Sequence, residues 1–177
     1  RVLEALEASG QGDNTIIVFA GDNGLAVGQH GLMGKQNLYD HSVRVPLIMA
    51  GPGIPEGKRT GALCYLLDIF PTLCDMTGQT IPDTVEGRSL LPVITGEQDA
   101  ARDVLHFAYR QWQRGVRKDD WKLIEYCVNG KRHTQLFDLV GDPLEMQNLA
   151  DDASHAGHLA ALRRELGTWE TELHDDR

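Results

Sequence analysis

The chain has 177 residues, enough for one sizeable hydrophobic core with a small appendage. Its 17 Lys and Arg against 26 Asp and Glu leave a formal net charge of −9, which argues against nonspecific binding to nucleic acid or to anionic membrane surfaces; any anionic substrate has to meet a local positive site. No apolar run approaches the roughly 20 residues needed to insert across a bilayer, and Cys64, Cys74 and Cys127 have no metal-type spacing and are too few by one for a closed disulfide set.

Val2, Ala5 and Leu6 recur at helical spacing, and Gly10 supplies a stop before the polar turn Asp13-Asn14. This opening reads as a helix face rather than a signal peptide. Thr15-Ile16-Ile17-Val18-Phe19-Ala20 is a β-prone apolar run without alternation, the pattern of a parallel strand covered on both faces. Val45-Pro46-Leu47-Ile48-Met49-Ala50 is a second strand, with Pro46 best placed at its first position or on an edge. Leu66, Ile69, Phe70, Leu73 and Met76 predict a helix with Asp68 as cap, Pro71 in its first turn and Gly78 at its close.

Beyond about residue 100 the pattern turns to strands at Val104–Tyr109, Gly115–Val116, Trp121–Val128 and Thr134–Leu139, with Asn129-Gly130 predicting a type I′ hairpin. Leu159, Leu162, Leu166, Trp169 and Leu173 then mark an amphipathic helix able to cover an antiparallel sheet. The expected fold class is α/β: part of a mixed sheet with helices over residues 1–100, followed by a small α+β subdomain over residues 101–177.

Chemistry concentrates where the first strand ends, in Gly21-Asp22-Asn23-Gly24, because ligands of open α/β sheets gather beyond the carboxyl ends of strands. Asp22 and Asn23 offer hard oxygen donors suited to calcium or magnesium. The same residues are also ordinary turn formers. A glycine-rich loop then leads to Lys35, whose compact ammonium suits a sulfate or phosphate oxygen if it is not simply solvated. His30, between them, is placed either to contact substrate and donate a proton to a leaving oxygen or to hold its loop by a hydrogen bond. His41 and Arg44 belong to the pocket rim or to the support of the following strand. The basic residues Arg110, Arg114, Arg117, Lys118 and Lys122, interleaved with Trp112 and Trp121, read as a solvated sheet face rather than a nucleic-acid surface, given the net charge of −9.

The run from Val18-Phe19-Ala20-Gly21-Asp22-Asn23-Gly24 through Gly28-Gln29-His30-Gly31 and Gly34-Lys35 to Val43-Arg44-Val45-Pro46-Leu47-Ile48 resembles the metal-and-lysine block of sulfatases. Asp68-Ile69-Phe70-Pro71-Thr72-Leu73, Glu86-Gly87-Arg88-Ser89-Leu90-Leu91-Pro92, Leu136-Phe137-Asp138-Leu139, Asp142-Pro143-Leu144-Glu145 and Asn148-Leu149 extend the resemblance over most of the chain. It implies an alkaline-phosphatase-like fold, hydrolysis of a sulfated small molecule or carbohydrate, Asp22 and Asn23 as ligands of a divalent cation, usually calcium, and Lys35 on the sulfate group. It also implies export to the periplasm, the extracellular space or a lysosome, which the sequence itself does not fix.

The family's nucleophile is a formylglycine made in a C/S-x-P/A-x-R motif, and no cysteine here leads that pattern. The early aspartate pair of the family is absent too. The chain therefore reads as the C-terminal portion of such an enzyme, inactive by itself and needing further sequence or self-association to cover its sheet edges. The alternatives are a phosphodiester or phosphonate monoester hydrolase of the same superfamily and a non-catalytic interaction module.

Overall fold

The computed structural model describes residues 1–175, which fall into two compact units: residues 1–22 with 46–102, and residues 23–45 with 103–175. In chain order the elements are α1 (Val2–Ala8), β1 (Ile17–Ala20), β2 (Ala26–Val27), β3 (Met33–Gly34), α2 (Asp40–Val43), β4 (Leu47–Ala50), α3 (Ile69–Met76), α4 (Leu91–Thr95), β5 (Val104–Tyr109), β6 (Gln113–Lys118), β7 (Trp121–Val128), β8 (Lys131–Asp138) and α5 (Ala156–Glu172). Among the described residues no helix is long and apolar enough to cross a membrane.

In the first unit β1 pairs with β4, and the pair is antiparallel, with Phe19 opposite Ile48. The expectation of a parallel strand covered on both faces is corrected here. A parallel return needs a crossover of a dozen or more residues, usually a helix, and the only α-helix between the two strands, α2, has 4 residues. Phe19 and Ile48 are each 60% exposed, so an unbroken apolar run does not by itself report burial within these residues.

Asp68 occupies the N-cap position of α3, as its place in the sequence suggests, but its side chain caps the 3₁₀ turn before the helix and not α3 itself. It accepts the Tyr65 amide at 2.7 Å and the Arg88 amide at 2.8 Å, and it pairs with Arg102, whose guanidinium lies over the Tyr65 ring. Thr72, also fully buried, donates its hydroxyl to the Asp68 carbonyl at 2.6 Å and accepts the Leu90 amide at 2.8 Å. One carboxylate and one hydroxyl thus tie the start of α3 to residues 88–90 and 102. Gly78, with φ 67°, closes the helix as its position predicts.

The second unit is built on the antiparallel meander β5-β6-β7-β8. Asn129 and Gly130 both have positive φ, 51° and 72°, as a type I′ turn between β7 and β8 requires. Successive side chains point to opposite faces, and both faces are covered. Val116, Leu123 and Leu136 pack with Leu162 and Leu166 of α5, whereas Ile124 and Phe137 pack with Leu38 and Tyr39. A Cβ on Gly115 would lie 3.1 Å from the Leu123 carbonyl and 3.2 Å from a Leu38 methyl, so a glycine there lets the Leu38 side chain reach the sheet.

Double cover explains why much of the basic stretch is not a solvated face: Arg114 and Lys122 are buried, whereas Arg110 is exposed and Lys118 keeps 41% of its side chain in solvent. Arg114 and Lys118 point to the α5 side, where they meet Asp175 and Glu165; Arg117 and Lys122 point to the other, where both meet Asp40. Lys122 is fully buried. Charges taken out of water require partners, and each of these four cations has a carboxylate.

Candidate functional site

The loop after Asn23 folds back as a small hairpin. β2 pairs with β3 through Ala26 opposite Gly34 and Val27 opposite Met33, with a 3₁₀ turn over Gln29–Gly31 at its tip. Lys35 follows β3 directly and so returns to the start of the loop. Its Nζ donates to Asn23 Oδ1 at 2.8 Å, while Asn23 Nδ2 donates to the Gly24 carbonyl at 2.8 Å. Gly24 sets the approach to α2: its amide donates to the Ser42 carbonyl at 2.9 Å, and a Cβ there would sit 1.9 Å from the His41 carbonyl oxygen.

Asp22 is exposed, and Asn23 immediately follows it. A carboxylate and an amide carbonyl are the oxygen donors that a calcium or magnesium ion takes. No group of three or more His, Cys, Asp or Glu residues among the described residues could hold a metal ion. The two residues offer two such donors, short of the roughly 6–8 oxygens of a calcium shell.

His30 sits at the hairpin tip with φ 53°, a left-handed backbone uncommon outside glycine. Its ring stacks on Tyr39 with centroids 3.9 Å apart and planes within 7°. Nε2 meets the Leu144 carbonyl at 3.0 Å. The loop-holding hydrogen bond is thus present, and it engages one of the two ring nitrogens. His41 lies 5.6 Å from the His30 ring, and its buried Nε2 has no hydrogen-bond partner. Burial, then the charges of His30 and Lys122, push the His41 imidazole below its ordinary pKa, against the pull of Asp40. Arg44 is largely exposed and lies 3.7 Å from Asp40.

Glu145 and Lys122 hold this cluster in place, and sequence reading assigned neither of them chemistry. Glu145 is 2% exposed and has φ 58°. Its Oε2 accepts the Asp40 amide at 2.6 Å, and its Oε1 lies 2.8 Å from Lys122 Nζ in an ion pair without hydrogen-bond alignment. Lys122 also donates to Asp40 at 2.7 Å. The contact joins residues 105 apart in sequence, beyond any local signal, although the Asp142-Pro143 turn marks the place.

Residues 28–172 match the family N-sulphoglucosamine sulphohydrolase, C-terminal. The chain is 31% identical over 188 residues to the N-acetylglucosamine-6-O-sulfatase of Bacteroides thetaiotaomicron, an alignment that covers 99% of this chain and 34% of that protein. The solved structure of BT4656 in complex with its substrate D-glucosamine-2-N,6-O-disulfate superposes with a TM-score of 0.89 at 31% identity, over 99% of this chain and 38% of that one. The phosphonate monoester hydrolase of Agrobacterium radiobacter superposes with a TM-score of 0.81 at 28% identity, over 97% of this chain and 38% of that one. The chain thus spans about a third of the length of the curated relatives that it matches. Together with the Asp22-Asn23 and Lys35 arrangement, the family match over residues 28–172 means that this chain belongs to the sulfatase family, of which it represents the C-terminal region.

Proposed function

We propose that this chain is the C-terminal part of an enzyme that hydrolyses sulfate esters. In this reading residues 1–100 end its α/β catalytic domain and residues 101–177 form its C-terminal subdomain. Asp22 and Asn23 supply two oxygen ligands to a divalent cation, taken to be calcium, and Lys35 contacts the sulfate group. The observation that carries the reading is the 2.8 Å contact between Lys35 Nζ and Asn23 Oδ1, which sets an ammonium beside a metal-type donor. Such a charge gains most as negative charge grows on the sulfate oxygens in the transition state. The further ligands and the formylglycine nucleophile that the family uses are assigned to sequence outside these 177 residues; the cation would polarise the sulfate group there. His30 is read as the ring that meets the leaving-group side of the substrate.

Sulfated glucosamine, the substrate of the BT4656 structure, indicates the class to try first. Likeness to a phosphonate monoester hydrolase supports a second reading, hydrolysis of a phosphonate monoester or phosphodiester. Rates of the full-length enzyme on an aryl sulfate, a glucosamine sulfate and an aryl phosphodiester decide between them. A higher kcat/KM on either sulfate supports the first reading, and a higher value on the phosphodiester replaces it with the second.

A further inference from the structure

The two contacts that fix the His30 ring are made by the sequence neighbours of Asp40 and Glu145, which one buried carboxylate joins. Tyr39, on which the ring stacks, is followed by Asp40, whose amide donates to Glu145 Oε2 at 2.6 Å. Leu144, whose carbonyl meets His30 Nε2 at 3.0 Å, precedes Glu145. Moving the Glu145 carboxylate would loosen the Asp40 backbone beside the stacking partner and disturb the turn that carries the Leu144 carbonyl, while Tyr39 keeps its own contacts to Gln135 and Phe137. Its own position is over-determined: 2% exposed, left-handed at φ 58°, and ion-paired to Lys122, which is fully buried. Non-glycine residues hold such a backbone only where the surroundings compel it.

The chemistry of the partner then assigns the nitrogens. A carbonyl oxygen can only accept, so Nε2 carries a hydrogen, and in the neutral ring Nδ1 is bare. Stacking on Tyr39 restricts the ring flip that would exchange the two. Tyr39 is itself held, since its hydroxyl donates to Gln135 Oε1 at 2.9 Å and its ring meets Phe137 edge-on at 6.0 Å.

We propose that Glu145 is a positioning residue that presents His30 to the substrate through Nδ1, with Nε2 committed to the Leu144 carbonyl. The role of His30 rests on the sulfate-ester reading; the ring's orientation and tautomer do not. A residue in the late Asp142-Pro143-Leu144-Glu145 turn would thereby take part in the chemistry of a loop more than a hundred residues earlier, as supporting contacts around a site do elsewhere.

Two His30 variants of the full-length enzyme separate the nitrogens. In His30→Gln the amide nitrogen reaches the Nε2 position and keeps the Leu144 contact, whereas in His30→Asn it falls near Nδ1. His30→Asn is expected to retain roughly 10-fold more kcat than His30→Gln, the scale of one hydrogen-bonding contact to substrate kept in place, since neither amide transfers a proton. Glu145→Gln should lower kcat by roughly 10- to 100-fold, the scale of a misplaced reacting group, with little change in KM, and this loss should vanish in the His30→Gln background. Glu145→Asp, which keeps the charge beside Lys122 but withdraws it from the Asp40 amide, should behave likewise and serves if Glu145→Gln does not fold. Nitrogen NMR of ¹⁵N-histidine-labelled enzyme, with His30→Gln for assignment, reads the tautomer whether or not any ester is turned over: the hydrogen should lie on Nε2, and Glu145→Asp should mix the tautomers. A hydrogen on Nδ1 in the wild type, equal losses from the Glu145 variants in both backgrounds, or His30→Gln as active as His30→Asn would overturn the proposal. Inactivity of the wild type on every sulfate would instead defeat the sulfate-ester reading, leaving the spectra to decide the positioning.

Discussion

Lys35 Nζ donates to Asn23 Oδ1 at 2.8 Å, so the ammonium lies on the oxygen that would face a cation. In the proposed reading the two groups have separable duties: the amide oxygen would bind metal and the ammonium the anionic group. Asn23→Ala in the full-length enzyme should weaken calcium affinity by roughly 10- to 100-fold, whereas Lys35→Ala should leave it equal or slightly tighter, because a competing positive charge is removed. Calorimetric titration checks both. Loss of affinity in Lys35→Ala with none in Asn23→Ala would reverse the assignment.

The isolated 177-residue chain should show no turnover of an aryl sulfate and only weak calcium binding, because Asp22 and Asn23 leave most of a calcium shell unfilled. The full-length enzyme, assayed in parallel, should do both. Equal calcium affinity in the two would mean that the ligands were misassigned, and turnover by the isolated chain would mean that its nucleophile lies within these residues.

Asp68 predicts a stability effect without a direct catalytic one. Its carboxylate is fully buried, and Asp68→Ala removes the partner of Arg102 together with the acceptor of two amides. The expected loss is about 3–5 kcal/mol, as for breaking a buried pair from one side. Urea unfolding measures it. A loss under about 1 kcal/mol would place the pair among solvent-screened ion pairs.

His106 predicts a pH effect on the packing of α5. The ring stacks on Trp169 with centroids 4.8 Å apart, and burial lowers its pKa below the ordinary 6.5 despite the opposing pull of Glu165 and Glu172. A lowered folded-state pKa means that the unfolded chain binds the proton more readily. The stabilising contribution is therefore complete above about pH 6.5 and falls away as pH drops through the folded value. Melting temperatures from pH 7.5 to 5 should decline less in His106→Phe than in the wild type. Parallel declines would show that His106 does not carry the effect.

Legibility in the sequence followed the range of the interactions. The Asn129-Gly130 hairpin and α5, with its Leu162 and Leu166, are set by neighbours in sequence and were readable there. Lys35 was legible as part of a spaced pattern, although only the β2-β3 hairpin shows how it returns to Asn23. The pairing of β1 was not legible, because an apolar run specifies neither the direction nor the exposure of a partner strand. The fate of Lys122 was hidden for the opposite reason: a basic residue in a strand looks solvated until residues 37–45 are seen to cover that face with Asp40. Glu145 joins the site across 105 residues, which no local pattern records.

The most direct test of the central claim is kcat/KM of Lys35→Ala on an aryl sulfate in the full-length enzyme. Loss of one preorganised charge contact to the developing anion should lower it by roughly 10²–10³, with the fold unchanged. Lys35→Arg should also be impaired, since a planar guanidinium cannot place a compact ammonium at the same point. A value within about twofold of wild type in Lys35→Ala, which is under 0.5 kcal/mol of transition-state stabilisation, would contradict the account and return Lys35 to an ordinary surface lysine.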